Sequence, residues 1–281
     1  MLEKIETILI EEKPDGVLVY GDTNSTLAGA LAASKLHVPL IHVEAGLRSY
    51  NKSMPEEINR VLTDHISDYL FTPTEIASDN LYKEGITSPV FMVGDVMCDA
   101  IKLATRQIQK REKPSDYESY YYASIHRPYN TDNFERLKVI LKTLERLDKK
   151  VKIALHPRTR QILNTHNYHI HSNNIELLEP LSYLDNIYTM NFASAIITDS
   201  GGIQKEAYLL QKQCITVRSE TEWVETLQGH WNTLVFDLEE VKNVQQLLHI
   251  FPDHTKYHPV VYGNGESARK IANILFEHLV K

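Results

Sequence analysis

The hydrophobic positions of this chain follow two alternating rhythms. Continuous apolar runs at 16–20, 39–43, 69–72 and 90–93 read as strands buried on both faces. Between them, 23–36 and 53–66 carry apolar residues at helical spacing. On 53–66, Ile58, Val61, Leu62, His65 and Ile66 share one face, which the pattern assigns to the core. The chain opens on an amphipathic helical stretch. Periodicity lapses over 110–118, which reads as a linker. Strand runs resume at 121–125, 151–155, 175–178, 195–197, 214–217 and 234–236, with the clearest helix over 134–147. A last helix over 266–280 places Ala268, Ile271, Ile274, Leu275 and Leu279 on its buried side. This alternation predicts an α/β fold of two domains, 1–109 and 119–265, each a parallel sheet covered by helices. A doubly wound domain normally opens with a strand and its turn. The first domain is therefore expected to lack its opening βα units.

Composition narrows the function. The 281 residues are 42% hydrophobic and 24% charged, an ordinary globular balance with room for two cores. No apolar run approaches a membrane span, and the N-terminus lacks the basic start and cleavage site of a signal peptide. A net charge of −7 disfavours nucleic acid or an anionic membrane as partner. The two cysteines, Cys98 and Cys214, stand far apart in no metal-ligand spacing. A cytoplasmic setting, with both as buried packing residues, is the simplest reading.

Candidate chemistry collects where strand runs end. Thr198-Asp199-Ser200-Gly201-Gly202 follows a strand run and opens a helical pattern. Such a turn offers unpaired backbone N–H groups beside the positive end of a helix dipole, a natural seat for phosphate. An ordinary capped βα turn explains the same residues. Glu206, in the next turn of that helix, suits a ribose diol or plain solvation. Arg218 to Glu222 ends another strand and fits the lining of the same site or a polar loop. Asp22 follows a strand and serves equally as an N-cap. His42 and Glu44 flank Val43 near the next strand end, where alternation gives them one face. Glu44 reads as functional there, whereas His42 reads as a packed histidine. Glu56, after Met54-Pro55, suits the dipole of its helix or points back toward Asp22 and Glu44. Carboxylates gathered in one site raise at least one pKa, as a general acid or base needs. His126-Arg127 and His156-Pro157-Arg158 end two strands of the second half. They pair a proton carrier with a phosphate clamp.

Taken in order, Gly21-Asp22-Thr23, His42-Val43-Glu44-Ala45-Gly46-Leu47-Arg48, Pro55-Glu56-Glu57-Ile58-Asn59-Arg60, Phe71-Thr72-Pro73-Thr74-Glu75, Val93-Gly94-Asp95, His126-Arg127, His156-Pro157 and Thr198-Asp199-Ser200-Gly201-Gly202 resemble the non-hydrolysing UDP-N-acetylglucosamine 2-epimerase family. The resemblance runs through nearly the whole chain. It implies two Rossmann-like domains facing across a cleft, GT-B-like, with the terminal stretch 266–281 crossing back to the first. It also implies a homodimer acting on a UDP-sugar, without metal or redox cofactor, in surface-polysaccharide precursor synthesis. Asp22, Glu44, Glu56 and His126 match positions implicated in catalysis. His156, Ser200, Gly201, Gly202 and Glu206 match positions contacting UDP. Arg127 matches a position linked to a second, regulatory UDP-sugar site. The family's opening strand and Gly-Thr-Arg-Pro-Glu turn are not present. Pro128-Tyr129-Asn130 stands where Glu-Asn is frequent. Gln204-Lys205-Glu206-Ala207-Tyr208 and Thr221-Glu222-Trp223-Val224-Glu225 resemble a subgroup acting on UDP-2,3-diacetamido-glucuronic acid. Other readings of the same residues are a GT-B glycosyltransferase and a non-catalytic UDP-sugar binder.

Overall fold

The computed structural model describes residues 1–257 and 259–279. The chain forms two compact units, Met1–Ala100 with Pro259–Lys281, and Ile101–His258. The division falls inside the Val96–Ile108 helix. The 110–118 stretch, read as a linker, fastens instead to the second unit. Tyr188 Oη donates to the Glu112 carbonyl (2.6 Å), and Glu118 N–H to that of Phe192 (2.9 Å). The ends of the predicted 266–281 stretch, at Val280 and Lys281, lie outside the described residues.

The first unit holds a parallel sheet of four strands, β1 (Val17–Tyr20), β2 (Leu40–Val43), β3 (Tyr69–Thr72) and β4 (Val90–Met92), in the order β1-β2-β3-β4. Every residue of β2 is buried, so both faces of the strand are covered. One face packs Ile41, Val43, Phe71 and Val93 against Ile271, Ile274, Leu275 and Leu279 of the Ser267–Leu279 helix. That helix starts on Asp99, whose carboxylate accepts the N–H groups of Ser267 (3.0 Å) and Ala268 (3.2 Å). Ala268, expected inside, is exposed; the carboxylate uses its backbone and not its side chain.

The Pro55–Ile66 helix corrects the hydrophobic reading. Its buried residues are Glu57, Asn59, Arg60, Thr63 and Asp64, while Ile58 and Leu62 are each 47% exposed. The period is helical, as expected, but the inward face is polar. Glu57, Asn59, Arg60 and Asp64 find charged and backbone partners inside the unit, which makes their burial tolerable.

The second unit holds six parallel strands, β5 (Tyr120–Ser124), β6 (Lys150–Ala154), β7 (Ile175–Leu178), β8 (Ile196–Thr198), β9 (Cys214–Thr216) and β10 (Asn232–Leu234). Their order is β10-β9-β8-β5-β6-β7. The order reverses between β5 and β8, where an open α/β sheet binds its ligands at the carboxyl ends. The last strand lies two residues before the predicted 234–236. Asn232 enters it because its buried amide donates to Gln204 Oε1 and Thr226 Oγ1, both at 3.1 Å. Cys98 and Cys214 are both buried, and neither is in a disulfide. Among the described residues, no helix is long and apolar enough to cross a membrane.

Candidate functional site

At the reversal point of the second sheet, Ser124 of β5 is in register with Thr198 of β8. The next residues on each chain leave the sheet side by side. Asp199, with no exposed surface, binds the neighbouring turn. Its carboxylate accepts the backbone N–H of His126 (3.0 Å), that of Arg127 (2.9 Å) and the Asn130 side-chain amide (3.0 Å). His126 Nδ1 lies 3.2 Å from the same carboxylate. Burial alone would raise the Asp199 pKa; His126, Asn130 and the Arg127 N–H outweigh it and hold the group below the usual range. Asp199 therefore fixes the His126-Arg127 turn. The sequence showed it only as one letter of a Gly-rich motif.

The His126 ring stacks on His156, centroids 5.2 Å apart. Exposed His156 caps the Pro157–Thr165 helix, its Nδ1 accepting Arg158 N–H at 3.2 Å. Partial burial and the charges of His126 and Arg158 lower its pKa. Ser200 caps the Gly201–Leu209 helix, as the motif predicted. A Cβ on Gly201 would stand 2.5 Å from Glu222 Oε1, so glycine permits the close approach of that carboxylate. Gly202 continues the first turn. Glu222 in turn pairs with Arg218 at 3.0 Å, both nearly buried. The Arg218–Glu222 stretch thus contributes a buried ion pair rather than an open polar loop. Glu206, 6% exposed, is pushed up to about 7 by burial, with Lys205 acting against the shift. Lys205 is itself buried, its Nζ 3.7 Å from the Trp223 ring centroid, a cation–π contact.

The first unit gathers its candidates by the same ladder. Gly21 N–H donates to Val43 O, and Glu44 N–H to Phe71 O, both at 3.1 Å, so the turns after β1 and β2 lie side by side. Asp22 is ion-paired to Arg60. Glu44 has left the strand with φ +73°, so strand alternation with His42 does not extend to it. Its Oε2 lies 3.1 Å from where a Cβ on Gly21 would stand, which places its carboxylate against the Asp22 turn. Glu56 is half-buried in the first turn of the Pro55–Ile66 helix. It sits four residues before Arg60, on the same face. Glu57 is the structural carboxylate of the pair. It accepts Ser49 N–H (2.9 Å) and Tyr50 N–H (2.8 Å) and contacts Arg60 at 3.2 Å. Arg60 stood in the sequence only as the last residue of the Pro55-Glu56-Glu57-Ile58-Asn59-Arg60 run, with no role of its own, and Asp64 was not singled out. Among the described residues, no three His, Cys, Asp or Glu side chains are arranged to hold a metal ion.

Two Rossmann-like units, each with chemistry-bearing side chains at the carboxyl ends of parallel strands, define the class of this protein. The chain belongs to the UDP-N-acetylglucosamine 2-epimerase family, whose profile matches residues 1–276. A "UDP-N-acetylglucosamine 2-epimerase homolog" of Methanococcus maripaludis is 48% identical over 98% of this chain and 79% of its own length. The UDP-2,3-diacetamido-2,3-dideoxy-D-glucuronate 2-epimerase of Pseudomonas aeruginosa is 41% identical over 98% of this chain and 78% of its own length. The crystal structure of the Methanocaldococcus jannaschii UDP-GlcNAc 2-epimerase, in complex with UDP-GlcNAc and UDP, shares 43% identity and superposes with a TM-score of 0.90. That superposition covers 98% of this chain and 79% of that one.

Proposed function

We propose that this protein interconverts UDP-N-acetylglucosamine and UDP-N-acetylmannosamine without hydrolysis, supplying precursors for surface polysaccharide. The C2 proton of the sugar is removed and the C1–O bond to UDP breaks, leaving a glycal-type intermediate. UDP then adds back at C1 while C2 takes a proton on the opposite face. The observation that carries this reading is the likeness, across 98% of the chain, to a 2-epimerase whose structure holds UDP-GlcNAc and UDP.

The chemistry divides the residues by role. A poorly acidic C–H needs a placed base and acid, and a departing diphosphate needs positive donors. We assign proton transfer to Asp22, Glu44, Glu56 and His126. Supporting this, Asp22 and Glu44 stand on adjacent turns, and His126 is oriented by a buried carboxylate. Ser200, Gly201 and Gly202 at the helix N-terminus, with His156, are assigned to the UDP, and Glu206 to its ribose diol. Arg127 is assigned to a second UDP-sugar that regulates turnover. We further propose a cytoplasmic homodimer; the exposed stripe of Ile58 and Leu62 supports association, and two buried cysteines outside any disulfide suit a reducing compartment.

The test is incubation with UDP-N-acetylglucosamine in heavy water. Deuterium is expected at C2, and Glu44→Gln is expected to abolish it. Retained exchange in that variant would remove Glu44 from the chemistry. Sugar transfer that requires an acceptor, without exchange, would favour a glycosyltransferase; UDP binding without either would favour a binder. The diacetamido-glucuronate relative supports a second substrate reading. Parallel assays on both UDP-sugars separate the two by kcat/KM.

A further inference from the structure

His42 lies on β2 with no exposed surface. Its Nδ1 is 2.7 Å from Asp64 Oδ1, and its Nε2 is 2.8 Å from the carbonyl oxygen of Gly21. Both partners are acceptors. A peptide carbonyl has no proton to give. The other oxygen of Asp64 already accepts Gly46 N–H at 3.1 Å and the Arg48 guanidinium at 2.7 Å, donors that favour the ionised carboxylate. A neutral imidazole carries one N–H. It would set a lone pair against one of these two oxygens, in a place closed to solvent. Only the doubly protonated ring satisfies both.

We propose that His42 is a permanent buried imidazolium and the positioning residue for Asp22 and Glu44. From two residues before Glu44, it ties the carbonyl of the Gly21 turn to Asp64 of the Pro55–Ile66 helix. The same helix carries Glu56, and its Arg60 grips Asp22. One ring therefore joins three segments that bear the proposed proton-transfer carboxylates. The charges around it balance. His42 and Arg48 are positive; Asp64 and Glu84 are negative, Glu84 holding Arg48 at 2.6 and 2.7 Å. Glu44 adds negative charge from its turn. Burial works against the His42 proton, but the hydrogen bond and charge of Asp64, the Gly21 carbonyl and the Glu44 charge together raise the pKa. Asp64 moves the opposite way: burial raises it, and His42 and Arg48 lower it further than that. The positioning role rests on the proton-transfer assignment above; the protonation state does not.

The proton is read by ring-nitrogen NMR of protein labelled with 15N-histidine. At about pH 8 an ordinary histidine is neutral. The His42 signals, identified by their loss in His42→Gln, are expected to show two protonated nitrogens there. Asp64→Asn, which removes the balancing charge, is expected to turn them to a neutral pattern. A neutral tautomer in the unaltered protein overturns the proposal. For the role, His42→Gln is expected to lower kcat about 100-fold, the cost of a misplaced catalytic group. Its KM, and UDP affinity by calorimetry, are expected to stay within about three-fold. A folded His42→Gln protein with unchanged kcat overturns the positioning role. Should that variant not fold, Asp64→Asn supplies the same comparison of kcat with KM. If the unaltered protein shows no C2 exchange at all, the functional reading fails, while the protonation state of His42 read by NMR stands.

Discussion

At the residue scale, the carboxylates of this molecule divide by what their surroundings do to the proton. Asp199 is buried among donors and stays charged, whereas Glu206 is buried with little compensation and holds its proton until about pH 7. The pKa of Glu206 is raised on folding. Between the ordinary value of 4.5 and about 7 the folded state keeps a proton that the unfolded chain has released. Its contribution to stability is therefore full below that window and is lost as pH rises through 7. A ribose diol donates two hydrogen bonds, which favours the ionised carboxylate. UDP affinity measured by calorimetry is expected to tighten up to about ten-fold from pH 6 to pH 8, following the ionised fraction. Glu206→Gln is expected to flatten that profile. Asp199→Asn places a donor amide among the donors of His126, Arg127 and Asn130. A loss of about 3 kcal/mol is expected, seen as a lower midpoint in denaturant, because a buried charge network is broken on one side. Gly46 has φ +81°, and a Cβ there would stand 2.2 Å from the Ala77 carbonyl oxygen. Gly46→Ala is expected to cost at least about 2 kcal/mol in the same measurement.

At the element scale, the strands were legible because parallel strands covered on both faces leave continuous apolar runs. β2 and β3 lie within or on the expected stretches. The Pro55–Ile66 helix was legible as a helix and illegible in orientation. Periodicity reports which residues share a face, but not which way the face points. The inward choice here is made by ion pairs between residues far apart in sequence, such as Arg60 with Asp22 and Asp64 with His42. The same blindness hid Asp199, whose importance lies in donors 69 to 73 positions away. The phosphate-type turn, in contrast, is a local device. Its cap and glycines were readable because all its parts are neighbours. The outward apolar stripe carries its own prediction. If it seats a second copy, Ile58→Asp with Leu62→Asp is expected to shift sedimentation from dimer to monomer, with the far-ultraviolet spectrum unchanged. An unchanged sedimentation coefficient would place any self-association elsewhere.

At the scale of the whole molecule, the two units carry separable proposed tasks. UDP binding is assigned to the second unit and proton handling mainly to the first. Asp22→Asn and Glu44→Gln are therefore expected to abolish C2 exchange while leaving UDP affinity by calorimetry within about three-fold. Ser200→Ala, which removes the cap of the Gly201–Leu209 helix, is expected to do the reverse in part. It should weaken UDP binding before it slows the chemistry of bound substrate. An Asp22→Asn protein that no longer binds UDP would break this division of labour.

The first unit is sewn together from two distant stretches of the polypeptide, with Ile271, Ile274, Leu275 and Leu279 sealing the sheet face that bears Ile41, Val43, Phe71 and Val93. A ribosome makes those two sets more than a hundred residues apart. The second unit is thus completed before the first, while the half-built early sheet waits with a greasy side uncovered until the last helix emerges. Stalled nascent chains ending before residue 267 should accordingly yield a protease-resistant second unit and a first unit that is digested or held by chaperones.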